Sequence, residues 1–295
     1  KARVILVTHV GRPEGRRVPA LSVKPIAKHL GGLLHDRIDT LSKLSGMAMY
    51  KAIEAMKPGG VAMLENIRFF PGEEENDSEF AKELAGLADI FVLDGFAVAH
   101  RAAASVVGVA AHLPSYAGLL LEREVTGLER VVYTPRAPFV VVIGGAKMET
   151  KIPVIKNLLS KADYILVGGG ILNTYLKAMK YGVGDSLVDA AFTTEALAYG
   201  KKRKVIWPVD VVVGSRDGIR ARLPDRQARV VEIGKKPHLI CKKGEGIYDI
   251  GPRSILRFAG YIKKAQTLVW NGAMGYFEQK PYDVATLSVA RLIAS

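Results

Sequence analysis

Two lysines four residues apart follow a pair of glycines, and this spacing is typical of a site that holds a phosphate group. Lys147 and Lys151 come directly after Gly144 and Gly145. Glycines let the backbone turn without a Cβ and approach a ligand closely. If a helix begins near Ala146, both ammonium groups lie beside the anion that a helix N-terminus attracts. A plain strand-to-helix turn with solvated lysines is the alternative explanation.

Three arginines each follow an apolar run that predicts a strand: Arg12, Arg68 and Arg101. The strands are expected at residues 3–8, 61–64 and 89–93. His9 and His100 stand beside two of these arginines. Ligands of open parallel sheets gather at the carboxyl ends of strands, where three guanidinium groups would clamp a small polyanion. Surface or salt-bridged arginines are the alternative.

Composition limits the class of protein. The chain has 295 residues, of which 49% are hydrophobic, and a formal net charge of +13. The length favours two domains, and the charge favours an anionic partner. The basic residues come scattered or in short clusters, without an arm or interleaved aromatic residues. We therefore expect no nucleic-acid binding.

Cysteine content and hydropathy bear on the compartment. Cys241 is the only cysteine, which excludes disulfides and thiolate metal cages within the chain. This is typical of a reducing compartment. No apolar run approaches the roughly 20 residues of a membrane span, and the first residues lack the pattern of a signal peptide. We expect a cytoplasmic protein without a membrane partner.

Alternating strands and helices predict the scaffold for these residues. The run 139–143 is apolar and β-branched without alternation, as in a parallel strand that is covered on both faces. A helix is predicted at 118–132, and a proline-bearing break follows it. We expect an α/β fold with two Rossmann-like parallel-sheet domains and a linking helix between them. The expected bounds are 1–117, 118–133 and 134–295.

Two common nucleotide motifs are absent from the sequence. It contains neither Gly-x-x-x-x-Gly-Lys-Ser/Thr nor Gly-x-Gly-x-x-Gly, so neither a Walker-type NTPase nor an ordinary NAD domain is supported. A dehydrogenase remains a distant alternative, which NAD binding would reveal. The glycine turns at 144–145 and 168–170 therefore need another explanation.

Seven segments together resemble phosphoglycerate kinase, in the order of that family, from residue 3 to about residue 290. They are Thr8–Pro13, Leu64–Phe69, Asp94–Arg101, Gly144–Lys147 with Lys151, Gly168–Gly170, Asp249–Pro252 and Trp270–Glu278. Each is weak alone, but seven at compatible spacings make chance an inadequate explanation. The resemblance implies a glycolytic phosphotransferase with a carboxyl group as acceptor. It would move a phosphoryl group reversibly from 1,3-bisphosphoglycerate to ADP, giving 3-phosphoglycerate and ATP.

The resemblance implies roles for both halves of the chain. The positions that match the family's binding patch for 3-phosphoglycerate are His9, Arg12, Arg68 and Arg101. The positions that match its ADP/ATP site are Gly144, Gly145, Ala146, Lys147, Lys151, Gly168, Gly169, Gly170, Asn271, Gly272, Met274, Phe277 and Glu278. The catalytic residues would be Lys147, on the transferring group, and Lys151, on the nucleotide phosphates. The linking helix would be a hinge whose closure excludes water from the acyl phosphate.

The resemblance also implies parts that residues 1–295 do not contain. The family has a strand that ends in Asp-Phe-Asn before the first residue, and after Ser295 a Gly-Gly-Gly-Asp-Thr turn whose aspartate holds Mg²⁺. Thr150 and Ala273 replace the family's usual aspartate and proline. We therefore expect Mg²⁺ with ADP/ATP and no metal ligand among these residues, and we expect the chain to be part of a working kinase whose turnover needs the missing segments. A truncated paralogue that binds phosphorylated ligands without turnover is the alternative. The resemblance also implies a monomer.

Overall fold

The computed structural model describes residues 1–42, 47–222 and 224–295. The chain forms two compact units, Lys1–Gly127 and Leu128–Ser295. Parallel strands alternate with helices in each unit, which confirms the predicted α/β fold class. In the described ranges, no helix has both the length and the apolar character needed to cross a membrane.

The first unit is built on short strands. In chain order, its described elements are β1 (Val4–Leu6), α1 (Lys24–Leu34), β2 (Asp39–Leu41), α2 (Met47–Glu54), β3 (Val61–Leu64), α3 (Pro71–Glu74), α4 (Ser78–Ala85), β4 (Phe91–Leu93), β5 (Ser115–Ala117) and α5 (Leu119–Tyr133). Strand β3 lies between β1 and β2 in a parallel sheet, and β4 pairs in parallel with β5 in a separate sheet. Helix α5 continues into the second unit.

The central strand β3 is covered on both faces. Met63 packs with Val23 and Ala27 of the first helical segment, whereas Leu64 packs in a second cluster with Ile67. Successive side chains of a strand point to opposite faces, so the two neighbours enter different clusters. The strand is thereby fixed, and it delivers the residues that follow it to a defined place.

The second unit contains two sheets. In chain order, its described elements after α5 are β6 (Phe139–Ile143), α6 (Ile152–Leu159), β7 (Tyr164–Val167), α7 (Gly169–Ala178), α8 (Thr193–Gly200), β8 (Val205–Ile206), β9 (Asp210–Ser215), α9 (Arg216–Ala221), β10 (Arg229–Glu232), β11 (Glu245–Ile250), α10 (Pro252–Ile262), β12 (Thr267–Asn271) and α11 (Val284–Ala294). One sheet is parallel, in the order β12-β6-β7-β8. The other is antiparallel, in the order β10-β9-β11.

Strand β6 is the most deeply buried strand of the parallel sheet. Phe139, Val141 and Ile143 pack in one apolar cluster, and Val140 and Val142 pack in another. All five side chains are at most 1% exposed. This confirms the prediction that residues 139–143 form a strand covered on both faces, because only such a strand buries every side chain.

Helix α6 begins at Ile152, close to the start expected from the helical pattern of residues 151–161. A helix start near Ala146, the condition under which Lys147 and Lys151 would share one helix face, is not met. Pro153 occupies its first turn, where the missing backbone N–H is not needed. Before it, the chain turns around the buried Met148, whose carbonyl accepts from Lys151 N at 2.8 Å and from Ile152 N at 2.9 Å. The two lysines therefore do not lie one turn apart on a helix.

Cys241 packs in the larger apolar cluster of the second unit, where it is 1% exposed. Burial raises the pKa of its thiol to about 11, although a hydrogen bond with Ser186 acts in the opposite direction. The thiol is thus a structural part of the core.

Candidate functional site

Three turns meet at the carboxyl edge of the parallel sheet in the second unit. Gly145 N donates to Ala273 O at 2.8 Å, Gly169 N donates to Met274 O at 2.9 Å, and Gly170 N donates to Gly145 O at 2.8 Å. The turns follow the neighbouring strands β6, β7 and β12. We call them together the glycine platform, which comprises residues 144–145, 168–170 and 271–274. The structure therefore brings the predicted glycines into one hydrogen-bonded surface.

The platform requires glycine at several positions. Gly145, Gly169 and Gly272 have φ angles of 102°, 61° and 86°, in the left-handed region that other residues rarely adopt. A Cβ on Gly169 would lie 2.7 Å from Gly145 N, and one on Gly170 would overlap Ala146 O. The turns interlock through bare backbone, which leaves no room for side chains where a ligand would approach.

Lys151 lies beside the platform. Its Nζ donates to Asn271 Oδ1. Its Cε lies 3.2 Å from the position that a Cβ would take on Gly145. The partner of the ammonium group is a neutral amide, so its positive charge is not cancelled. The structure thus brings Lys151, Gly145 and Asn271 together, although not by the helical geometry that the sequence suggested.

Lys147 occupies the same turn and is exposed. Its main-chain carbonyl accepts from Thr150 Oγ1 at 3.2 Å. Within the described part of the chain, its Nζ has no hydrogen bond and no ion pair. The ammonium group is therefore available to an anion that the platform would hold.

The loop after β12 carries three more of the predicted residues, which differ in their exposure to solvent. Met274 is fully buried beneath the platform, and its N donates to Thr286 Oγ1 at 3.1 Å. Phe277 is 50% exposed and Glu278 is exposed on the turn that follows. The Glu278 carboxylate makes no hydrogen bond or ion pair to any residue that the structure describes. Two of the predicted residues thus present their side chains to solvent, and one supports the platform from below.

Asp249 is a positioning residue whose role sequence reasoning missed. Its Oδ2 accepts from Ala285 N at 3.0 Å and its Oδ1 from Ile250 N at 2.9 Å. Burial raises the pKa of its carboxyl to about 7, although both amides act in the opposite direction. A Cβ on Gly275 would overlap this carboxylate, so the loop after β12 packs directly against it. The available signal was the place of Asp249 at the start of the segment Asp249–Pro252, one of the seven that carry the resemblance.

In the first unit, Glu65 and Asn66 anchor the loop that carries His9 and Arg12. Asn66 Nδ2 donates to Val10 O at 2.8 Å and to Leu21 O at 2.9 Å. Burial acts to raise the pKa of Glu65, but hydrogen bonds from Asn66 N, Val23 N and Ser22 Oγ outweigh it, so this pKa lies below its usual value. Sequence reasoning placed both residues in a motif without assigning them this role.

Arg68 is buried against the same loop. Its Nη1 donates to Gly11 O at 2.8 Å, and its Nε lies 3.4 Å from Glu74 Oε1. The guanidinium group is thereby held against the backbone of Gly11, and the next residue, Arg12, is exposed. Arg68 lies in the 3₁₀ turn Ile67–Phe69, which follows the carboxyl end of strand β3 at Leu64.

His9 lies in the electrostatic field of two of the predicted arginines. Burial lowers the pKa of His9 most, and the positive charges of Arg68 and Arg101 lower it further, whereas Glu74 acts to raise it. The structure thus brings His9, Arg68 and Arg101 together, and Arg12 belongs to the same loop as His9. We call these four residues the basic patch.

The described residues do not fit a metal ion that the protein itself would hold. Within the ranges that the structure covers, there is no group of three or more His, Cys, Asp or Glu residues that could ligate one. The groups that contact the glycine platform are backbone amides, the Asn271 side-chain amide and the Lys151 ammonium group, whereas Mg²⁺ prefers carboxylate, phosphate and water oxygens. A magnesium ion at this site would need oxygen ligands beyond those that the described residues supply.

Parallel α/β units with glycine turns and cations at the carboxyl ends of strands are typical of the class of α/β enzymes that bind phosphorylated ligands. The family model for phosphoglycerate kinase matches residues 1–295, and the chain belongs to the phosphoglycerate kinase family. It is therefore a kinase of glycolysis. This confirms the resemblance that the seven sequence segments indicated.

Individual relatives agree with the family match. The chain is 43% identical over 299 residues to phosphoglycerate kinase of Pelotomaculum thermopropionicum, covering 100% of this chain and 74% of the relative. It is 42% identical over 300 residues to the enzyme of Chloroflexus aurantiacus, covering 99% of this chain and 72% of the relative. The comparisons give no support to the alternative of a catalytically incomplete paralogue.

Solved structures show the same fold. The phosphoglycerate kinase of Coxiella burnetii is 39% identical with a TM-score of 0.78, and the match covers 100% of this chain and 73% of that one. The enzyme of Pyrococcus horikoshii is 28% identical with a TM-score of 0.83, covering 99% and 74%.

Proposed function

We propose that the protein transfers the phosphoryl group of 1,3-bisphosphoglycerate to ADP in a reversible reaction that gives 3-phosphoglycerate and ATP. The observation that carries this proposal is the glycine platform with two lysines beside it, in a chain of established family. We infer further that it acts as a monomer in the cytoplasm.

The glycine platform is the proposed nucleotide site. Bare backbone allows the phosphates of ADP to approach closely, and Lys151 adds a positive charge that a neutral amide orients. The proposed contacts with ADP/ATP come from Gly144, Gly145, Ala146, Lys147, Lys151, Gly168, Gly169, Gly170, Asn271, Gly272, Met274, Phe277 and Glu278. The exposure of Phe277 and Glu278 supports a role in holding the base and ribose.

The basic patch is the proposed site of 3-phosphoglycerate. This substrate carries a phosphate and a carboxylate, and guanidinium groups bind both kinds of anion bidentately. The proposed contacts are His9, Arg12, Arg68 and Arg101. The bond from Arg68 to Gly11 O supports the proposal, because a fixed guanidinium loses little freedom when a ligand binds.

The proposed chemistry needs charge neutralisation more than proton transfer. The bond between phosphorus and the acyl oxygen breaks, a bond from a β-phosphate oxygen of ADP to phosphorus forms, and the substrate leaves as a carboxylate. The transition state of such transfers is loose, with charge spread over the equatorial oxygens. Lys147, which is exposed and unpaired among the described residues, is the proposed cation for that charge. We propose that Mg²⁺ arrives with the nucleotide phosphates, and no step here depends on it.

Ligand titrations combined with an assay of ATP formation test this proposal. ADP and 3-phosphoglycerate should each bind saturably by isothermal titration calorimetry. Lys151→Ala should weaken the binding of ADP and leave the binding of 3-phosphoglycerate unchanged, whereas Arg101→Ala should weaken the binding of 3-phosphoglycerate and leave that of ADP unchanged. Retention of both affinities in both variants would show that the sites are assigned wrongly.

A further inference from the structure

The amino edge of the parallel sheet in the second unit carries a dense row of cations. A short segment joins a helix to each of the four strands; these segments are residues 134–138, 160–163, 201–204 and 263–266. Together they contain eight basic residues: Arg136, Lys161, Lys201, Lys202, Arg203, Lys204, Lys263 and Lys264. Their one acidic residue is Asp163.

The parallel register brings these four segments side by side. Thr267 pairs with Phe139, Val140 with Tyr164, and Ile165 with Val205, so the strand starts are aligned. Neighbouring strands lie about 4.8 Å apart, so the row is about 14 Å long. It lies at the end of the strands opposite the glycine platform. Cations that are far apart in sequence therefore form one surface.

The positive charge of this edge is largely uncompensated. All eight basic side chains are exposed, and none forms an ion pair within the described part of the chain. Asp163 accepts from Phe139 N at 2.7 Å. Four helices end at this edge, and each C-terminus contributes roughly half a negative charge. An excess of about five positive charges remains.

Aromatic rings stand among these cations. Tyr164 and Tyr261 line a surface pocket of about 340 Å³ together with Pro138, Gly260 and Lys264. The two tyrosine ring centroids lie 4.7 Å apart with the ring planes at 58°. Tyr133 is 75% exposed, and the Nζ of Lys161 lies 5.4 Å from its ring centroid.

We propose that this edge binds single-stranded nucleic acid, with phosphates along the lysines and a base in the tyrosine pocket. A groove of cations with aromatic platforms is the arrangement by which proteins hold single strands without sequence preference. An anionic membrane would use the charges but leave the concave aromatic pocket without a planar partner. The sequence suggested no such binding because its aromatic and basic residues are not interleaved. In the folded sheet, segments that are distant in sequence become neighbours, and this places tyrosines among the lysines.

The first test compares two fourfold variants with the same net charge. The edge variant is K201Q/K202Q/K263Q/K264Q, and the control, on exposed lysines between β10 and β11, is K235Q/K236Q/K242Q/K243Q. Binding of fluorescein-labelled oligo(dT) is measured by anisotropy over a salt series. The edge variant should bind oligo(dT) at least about tenfold more weakly. Its slope of log K against log salt should be smaller in magnitude by about three, and the affinity of the control should stay within about twofold of the parent protein. Equal losses in the two variants overturn the proposal.

A second test isolates the aromatic pocket. Tyr164→Leu should weaken oligo(dT) binding at least about fivefold, and Tyr164→Phe should not, because stacking needs the ring and not the hydroxyl. Circular dichroism melts show whether the variants fold, and ATP formation should be unchanged in both. Edge-dependent binding to phosphatidylserine vesicles without binding to oligo(dT) would instead identify a membrane surface and overturn the proposal.

Discussion

Lys147 is the residue on which the proposed reaction depends most. It has no partner within the described residues, so its removal should cost chemistry and not stability. We expect Lys147→Ala to lower kcat by about 10²- to 10³-fold, as loss of one preorganised donor does. The melting temperature should stay the same. The neighbouring Glu149→Gln is a matched control, and an unchanged kcat in Lys147→Ala would contradict the role of this lysine.

His9 offers a direct measurement of the basic patch. Since the positive charge of Arg101 lowers the pKa of His9, Arg101→Ala should raise that pKa. Added 3-phosphoglycerate should raise it as well, because a nearby anion favours the protonated ring. NMR titration of the imidazole reports both changes. Arg12→Ala serves as the control, since Arg12 is not among the charges that shift His9.

The residues that hold the loops in place were hardest to foresee from sequence. The sequence shows that Arg68, Lys147 and Lys151 are cations placed after predicted strands, because clear apolar runs mark where those strands end. The partners of Asn66 are carbonyls of Val10 and Leu21, 56 and 45 residues away. No local pattern reveals such bonds, since they form only after the chain has folded.

At the scale of elements, strands that are buried on both faces were easier to predict than the bounds of helices or strands with charged residues. Strands β3 and β6 have the predicted bounds, because both are apolar runs with clear ends. Helix α6 begins at Ile152, near the expected start at about residue 151, but it ends at Leu159, before the expected end at about residue 161. Strand β11 was not predicted. Its charged ends, its glycine and the register shift between Ile247 and Asp249 conceal the alternation of a strand.

Replacement of glycine by alanine should have opposite effects on stability in the glycine platform and in helix α5. Gly169→Ala should lower the free energy of unfolding by about 1–2 kcal/mol or more, since φ is positive and a Cβ would crowd Gly145 N. It should also weaken ADP binding. Gly127→Ala, on an exposed helical position with open space around it, should raise the free energy of unfolding by about 0.5–1 kcal/mol.

Chemical denaturation of both variants, with ADP titrations alongside, measures these effects. A neutral Gly169→Ala would mean that the turn tolerates a side chain. The close backbone approach of the platform would then not be the reason for its glycines.

At the scale of the whole molecule, Asp249 should make stability depend on pH. Its folded pKa of about 7 lies above the ordinary value of 3.8, so the folded state retains a proton that the unfolded state has lost. Between these values, this group lowers the free energy of unfolding as pH rises, by up to about 1.4 kcal/mol per pH unit. Above pH 7 its contribution no longer changes.

Urea denaturation between pH 4 and pH 8 tests this assignment. Asp249→Asn should remove that part of the pH dependence, and the exposed Asp217→Asn should leave it in place. The same slope in Asp249→Asn and in the parent protein would show that another group carries it.

Only the folded molecule shows on which surfaces the positive charges behind the net charge of +13 gather. Composition predicted an anionic partner and could not say where it binds. The basic patch and the amino edge lie in different units, and the topology of the parallel sheet assembles the second from four separate segments. Charge counts alone cannot separate such surfaces, because they depend on which strand ends are neighbours.

The burial of Cys241 has a practical consequence for spectroscopy. Thiol reagents attack the thiolate, and a pKa of about 11 leaves only about one thiol in ten thousand ionised at pH 7. The native protein should therefore react slowly with maleimides and fully once it is unfolded in guanidinium chloride. A cysteine introduced on the surface, for example Ser160→Cys at the amino edge, could then carry a fluorophore or spin label without prior removal of the native thiol. The fold thus provides a background that is silent to labelling, in which each site can be observed on its own.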